Sequence, residues 1–124
     1  MNREVVFAGG IRTAFGTLGR TLRNMMGEEL AGLAMKGLLE KTKVLEKGGV
    51  VDSVFMGSAI GGNTAINPAR WAVLASGLPD TTSASYIEMQ CGSAIDSINH
   101  AAWKILAGQA DIMIAGGFES YSQA

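Results

Sequence analysis

The 124-residue sequence predicts an α/β fold, a parallel-type sheet with helices on its faces, and three observations carry that expectation. Short apolar runs alternate along the chain with longer segments whose apolar residues recur at helical spacing. Each short run is continuous rather than alternating, as a strand covered on both faces requires. The runs also stop at glycines, notably Gly9-Gly10, Gly57 and Gly116-Gly117, which break a strand and open a loop. About four strands and three helices are expected, in three layers at most.

Glu4 to Ala8 is apolar and β-branched and is expected to form the opening strand. Arg12 to Met26 mixes glycines, arginines and threonines without a period and reads as loop. Gly27 to about Lys41 reads as an amphipathic helix. Leu30, Leu33, Ala34 and Leu38 form its stripe, Glu28 and Glu29 stand in the first turn and Lys41 in the last, as the helix dipole favours. Lys41 to Lys47 reads as a solvated end before Gly48-Gly49. Ser53 to Met56 is the second strand, opening into Ser58 to Thr64. Asn67-Pro68 starts a helix, because Asn caps free N–H groups and Pro at the first helical position gives up only an unpaired donor. That helix carries Ala69, Ala72 and Val73 on one face and stops at Gly77 and Pro79. Ala84 to Met89 is the third strand. A helix then runs to about Ala107 with Ile95, Ile98, Ala102, Ile105 and Leu106 along one stripe, and Asp111 to Ala115 is the fourth strand.

Composition narrows the classes of function. Hydrophobic residues make up 48% and charged residues 17%, with a net charge of −1, so there is neither a disordered-type charge excess nor a basic face for nucleic acid. No apolar run approaches the roughly 20 residues that cross a bilayer, and residues 1–10 lack a signal core. One cysteine excludes an internal disulfide, and with one histidine the chain lacks a Cys/His zinc set. A cytoplasmic protein with no metal, no membrane partner and no nucleic-acid partner is expected. The seven methionines read as core or interface filler.

The single cysteine, Cys91, falls between a predicted strand and a predicted helix, flanked by Gln90 and Gly92. A helix start leaves N–H groups unpaired and carries the positive end of the dipole, which favours a thiolate. A small neighbour leaves room for a substrate to approach. These features set a nucleophile against the ordinary buried cysteine, and the residues alone leave the two readings about even. His100 lies nine residues further along the same helix, well over 10 Å at about 1.5 Å per residue, so it reads as structural rather than as a base for Cys91. Gly61-Gly62-Asn63 matches neither dinucleotide nor P-loop glycine spacing and reads as a turn. Glu119 is an acid at the carboxyl ends of the strands, where α/β sheets gather ligands, and is expected to hold a loop or a partner.

The chain resembles the amino-terminal part of thiolases, the acetyl-CoA C-acetyltransferases. Glu4-Val5-Val6-Phe7-Ala8 with Arg12-Thr13 resembles the opening strand and its Ala-Arg-Thr-Pro turn, Val54-Phe55-Met56-Gly57 the second strand, and Asn67-Pro68-Ala69-Arg70 the next helix start. Gln90-Cys91-Gly92-Ser93 resembles the segment with the family's acyl-accepting cysteine, and Ala115-Gly116-Gly117-Phe118-Glu119-Ser120-Tyr121-Ser122 its Ala-Gly-Gly-Met-Glu-Ser-Met-Ser. Ile11, Ala14, Phe118 and Tyr121 depart from that pattern without removing a reacting group.

The resemblance implies that residues 1–124 are a partial amino-terminal thiolase-like domain, with the carboxy-terminal half and the strand that would follow residue 124 absent. It implies acyl transfer between acyl-CoA thioesters through an acyl-cysteine on Cys91, with coenzyme A as co-substrate and no bound cofactor. The N–H groups around Gly92 are then expected to keep the sulfur anionic, and backbone donors elsewhere to hold the oxyanion. The family's Gly-His-Pro histidine and Cys-x-Gly cysteine have no counterpart here, so a second thiolase half or a homo-oligomer is the expected partner. The alternatives are a non-catalytic thiolase-derived interaction module that assembles with a thiolase or with itself, and a stand-alone thiol protein.

Overall fold

The computed structural model describes residues 2–124. Its elements are α1 (Gly27–Thr42), β1 (Ser53–Gly57), α2 (Pro68–Ser76), β2 (Ser83–Ile87), α3 (Ser93–Leu106), β3 (Met113–Gly117) and a single 3₁₀ turn (Tyr121–Gln123). The three strands form one parallel sheet in the order β2-β1-β3, with Val54 opposite Ala84 on one side and Ile114 on the other. From β1 the chain crosses to β2 and then back past β1 to β3. Right-handed crossovers in those two senses place α2 and α3 on opposite faces.

Side chains of β1 show the two faces. Val54 and Met56, 0% and 4% exposed, join the core with Ala31 and Met35 of α1 and Ala69, Ala72 and Val73 of α2. Phe55, one residue out of phase, meets His100 of α3 edge-on at 6.4 Å between ring centres. The layers are therefore α1 and α2, then the sheet, then α3, as the α/β expectation requires.

The start of α2 follows its sequence signals. Asn67 Oδ1 accepts the N–H of Arg70 at 3.0 Å, Pro68 takes the first turn, and Gly77 closes the helix at φ 92°. Arg70 reaches beyond the helix and donates to the carbonyls of Asp80 and Thr82, both at 2.7 Å, holding the loop into β2.

Three expectations are corrected. Residues 4–8 form no strand, and Val6 and Phe7 lie 70% and 85% exposed. β-propensity yields a strand only where a partner supplies the ladder, and no described segment pairs with this one. The α1 stripe is rotated: Ala31 and Met35 are buried while Leu33 is exposed, because Gly32 lies against Ala72 and Ala75 of α2 and draws its own side of the helix inward. The last strand runs two residues later than expected. The N–H groups of Asp111 and Ile112 are captured by the Asp52 carboxylate at 2.7 and 3.1 Å, while Gly116 and Gly117 pair with Met56 and Gly57.

Candidate active site

Cys91 lies beyond the carboxyl end of β2, two residues before α3, with its side chain exposed. Sharp geometry brings it there. Gln90 has φ 51°, a left-handed conformation that costs a non-glycine residue free energy and persists where its surroundings dictate it. Its N–H donates to the Glu88 carboxylate at 2.6 Å, and its carbonyl accepts the Ser93 hydroxyl, also at 2.6 Å. That hydroxyl in turn receives the N–H of Met89 at 2.8 Å, so the buried Ser93 fastens the turn from inside. The N–H groups of Gly92 and Ser93 donate to the carbonyls of Met89 and Gln90 at 3.0 and 3.2 Å. Donors expected to face the sulfur are thus spent on closing the turn that presents it.

Two glycines let α3 begin this close to the sheet. A Cβ on Gly57 would stand 2.4 Å from the Ser93 carbonyl oxygen, and one on Gly117 would stand 2.6 Å from the Ala94 Cβ. They are partners in the β1–β3 register, so the start of α3 rests on a floor without side chains.

Beside the thiol is an open cavity of about 280 Å³, lined among others by Gly57, Ser58, Ala59, Cys91 and Glu119. Ser58 is fixed on several sides. The Tyr86 hydroxyl donates to its carbonyl at 2.7 Å, and its own N–H donates to the carbonyl of Ile87 at 3.3 Å. Burial, then the nearby charges of Glu88 and Glu119, raise the pKa of Tyr86 above its ordinary value and keep it a donor.

The far end of the same loop clasps α1. Asn63 Oδ1 accepts the N–H of Gly27 at 2.8 Å, while the Glu28 carboxylate accepts the N–H groups of Asn63 and Thr64 at 3.0 and 2.9 Å and the Thr64 hydroxyl at 2.9 Å. Gly61-Gly62-Asn63, read as a turn, lies in an irregular loop that bends at Asn63, and that residue caps a helix from another part of the chain. Nothing local in the sequence marks Asn63 as that cap, since Gly27 is 36 residues away.

His100 stands apart from this cavity. Its Nδ1 pairs with the Asp96 carbonyl at 2.8 Å one turn back, and its ring lies between Phe55 and Trp103. Among the described residues no group of three or more His, Cys, Asp or Glu side chains is placed to hold a metal, and no helix is long and apolar enough to cross a membrane.

These features belong to an α/β protein with a free thiol on a strained strand-to-helix turn at the carboxyl edge of a parallel sheet. The family of the thiolase N-terminal domain matches residues 5–124. An acetyl-CoA acetyltransferase of Chromobacterium violaceum is 43% identical over 119 residues, covering 96% of this chain and 30% of the relative. A 3-oxoadipyl-CoA/3-oxo-5,6-dehydrosuberyl-CoA thiolase of Escherichia coli is 38% identical over 98% of this chain and 30% of its own length. The crystal structure of the Bacillus anthracis acetyl-CoA acetyltransferase superposes with a TM-score of 0.79 at 36% identity, covering 86% of this chain and 27% of that one. The chain belongs to the thiolase family and corresponds to its amino-terminal domain. It spans about 30% of the length of the curated relatives it matches.

Proposed function

We propose that Cys91 is an acyl-accepting nucleophile for thiolase-type acyl transfer between coenzyme A thioesters. The observation that carries this reading is the exposed thiol on the Gln90–Ser93 turn, facing an open cavity in a chain of the thiolase family. In the first step the Cys91 thiol passes its proton to a base, and the sulfur attacks the thioester carbonyl. The tetrahedral oxyanion collapses, the bond from carbon to coenzyme A sulfur breaks, and the leaving thiolate takes up a proton. The acyl-cysteine then hands its acyl group to a second substrate, dividing one difficult carbon–carbon step into two easier ones. The base and the group that moves the substrate α-proton come from a second thiolase half or a partner chain. Coenzyme A serves as co-substrate, and a reducing compartment such as the cytoplasm suits the free thiol.

Intact-protein mass spectrometry after incubation with acetyl-CoA tests the reading. One acetyl group on Cys91 is expected when a polypeptide carrying the rest of a thiolase is added. Cys91→Ser should abolish the gain while leaving the circular dichroism spectrum unchanged. Equal labelling of the serine variant would overturn the assignment.

A second reading rests on the outer face of α3, where Ile95, Trp103 and Leu106 are 68%, 56% and 50% exposed. An apolar face of this kind suits a module that assembles with a thiolase or with itself without catalysis. In that case Cys91→Ser would leave assembly intact, and no acyl-cysteine would form under any combination of chains.

A further inference from the structure

A carboxylate lines the Cys91 cavity that the proposed acyl transfer does not use. Glu119 follows β3, on a segment joined to the end of β1 where the N–H of Phe118 donates to the carbonyl of Gly57 at 3.0 Å. Both of its oxygens are engaged on one loop: Oε1 accepts the N–H of Ala59, and Oε2 lies 3.1 Å from the Ser58 hydroxyl. That hydroxyl also receives the N–H of Gly61 at 3.1 Å, and Ser58 as a residue is only 2% exposed. Glu119 therefore ties the loop after β3 to the loop after β1 where both border the thiol.

We propose that Glu119 is a positioning residue for Cys91, holding Ser58 and Ala59 as a wall of the cavity in which a thioester is aligned. An acid near a nucleophilic thiol invites the role of general base, but both of its oxygens already accept from the loop, in charge-assisted hydrogen bonds of the stronger kind. Attack on a carbonyl needs the reacting atoms held at about 3–3.5 Å and aligned, and a displacement of about 1 Å at a supporting wall can cost on the order of a hundredfold in rate. The consequence for catalysis rests on the acyl-transfer reading of Cys91; the structural role does not.

Glutamine separates positioning from proton transfer. Its Oε1 can accept the N–H of Ala59 and its Nε2 can donate to Ser58 Oγ, while the Ser58 hydroxyl turns to the Gly61 carbonyl, 3.2 Å away. Alanine offers neither bond. Glu119→Ala should speed amide exchange at Ala59 about tenfold or more and slow acetyl transfer to Cys91, in the mixture that labels the unsubstituted chain, by about tenfold or more. Glu119→Gln should restore both to within about threefold, and iodoacetamide, which needs no shaped wall, should alkylate Cys91 at similar rates in all three proteins. A glutamine variant as defective in acetyl transfer as the alanine variant would overturn positioning in favour of proton transfer. Unchanged Ala59 exchange in the alanine variant would overturn it outright. Should no mixture acetylate the unsubstituted chain, the acyl-transfer reading falls and the Ala59 exchange still decides the role of Glu119.

Discussion

Glu28 and Glu119 are both acids that hold the loop after β1, and their surroundings give them different tolerances. Glu28 is 0% exposed and accepts from Asn63 and Thr64, whose two N–H groups cannot reverse direction. Burial alone would raise its pKa, but the N–H groups of Asn63, of Glu28 itself and of Thr64, with the Thr64 hydroxyl, outweigh burial and hold it below the usual carboxylate range. A lowered folded-state pKa means that the ionised carboxylate contributes stability in full above about pH 4.3, and that this is lost as pH falls through the folded value. Glu28→Gln should set an amide donor against a backbone donor and lower stability near pH 7 by on the order of 1–3 kcal/mol. Urea unfolding from pH 7 to pH 3 should show the gap between variant and parent closing towards acid. A gap independent of pH would remove Glu28 as its source.

Helix α3 shows how element packing departs from composition. Its apolar stripe of Ile95, Ile98, Ala102, Ile105 and Leu106 looks like a core face, yet the buried residues are Ser93, Ser97 and Ala101. The reason lies on the sheet, where Gly57 and Gly117 admit the helix so closely that only small residues fit beneath it. Ser97 satisfies its hydroxyl on the Ser93 carbonyl at 2.9 Å, so the small polar face is buried without an unpaired group. Gly57→Ala should therefore cost about 3 kcal/mol in thermal or urea unfolding, since its Cβ would meet backbone rather than a movable side chain. It should also displace the Cys91 turn, read as an altered iodoacetamide rate. A variant as stable as the parent would show that α3 can lift without penalty.

At the scale of the whole molecule, one face of the sheet is built up by α1 and α2 and the other carries α3 alone. The outer residues Ile95, Trp103 and Leu106 are half or more exposed, Trp103 resting against His100 of the same helix. Replacing Trp103 and Leu106 together by serine should lower stability by about 1 kcal/mol at most, because both are half-exposed. Under the assembly reading the same change should abolish any concentration-dependent association in sedimentation velocity. Association unchanged by the pair would locate the contact elsewhere, such as the open edge of β3.

Features that depend on near neighbours are legible in the amino-acid order alone. The Asn67-Pro68 start and Gly77 stop of α2 are local hydrogen bonds and fixed dihedrals, and the parallel sheet follows from short strands separated by helices. The same order marked Cys91 as the thiol at a strand-to-helix turn and set His100 too far along its helix to serve it. Tertiary structure decided what depends on residues distant in the chain. Residues 4–8 have strand composition and no partner to make it a strand. The inward face of α3 was chosen by Gly57 and Gly117, and the carboxylates of Glu28 and Glu119 found their loop across 35 to 61 residues. Propensity acts over a few residues, whereas burial and hydrogen-bond pairing are settled only when the chain returns on itself.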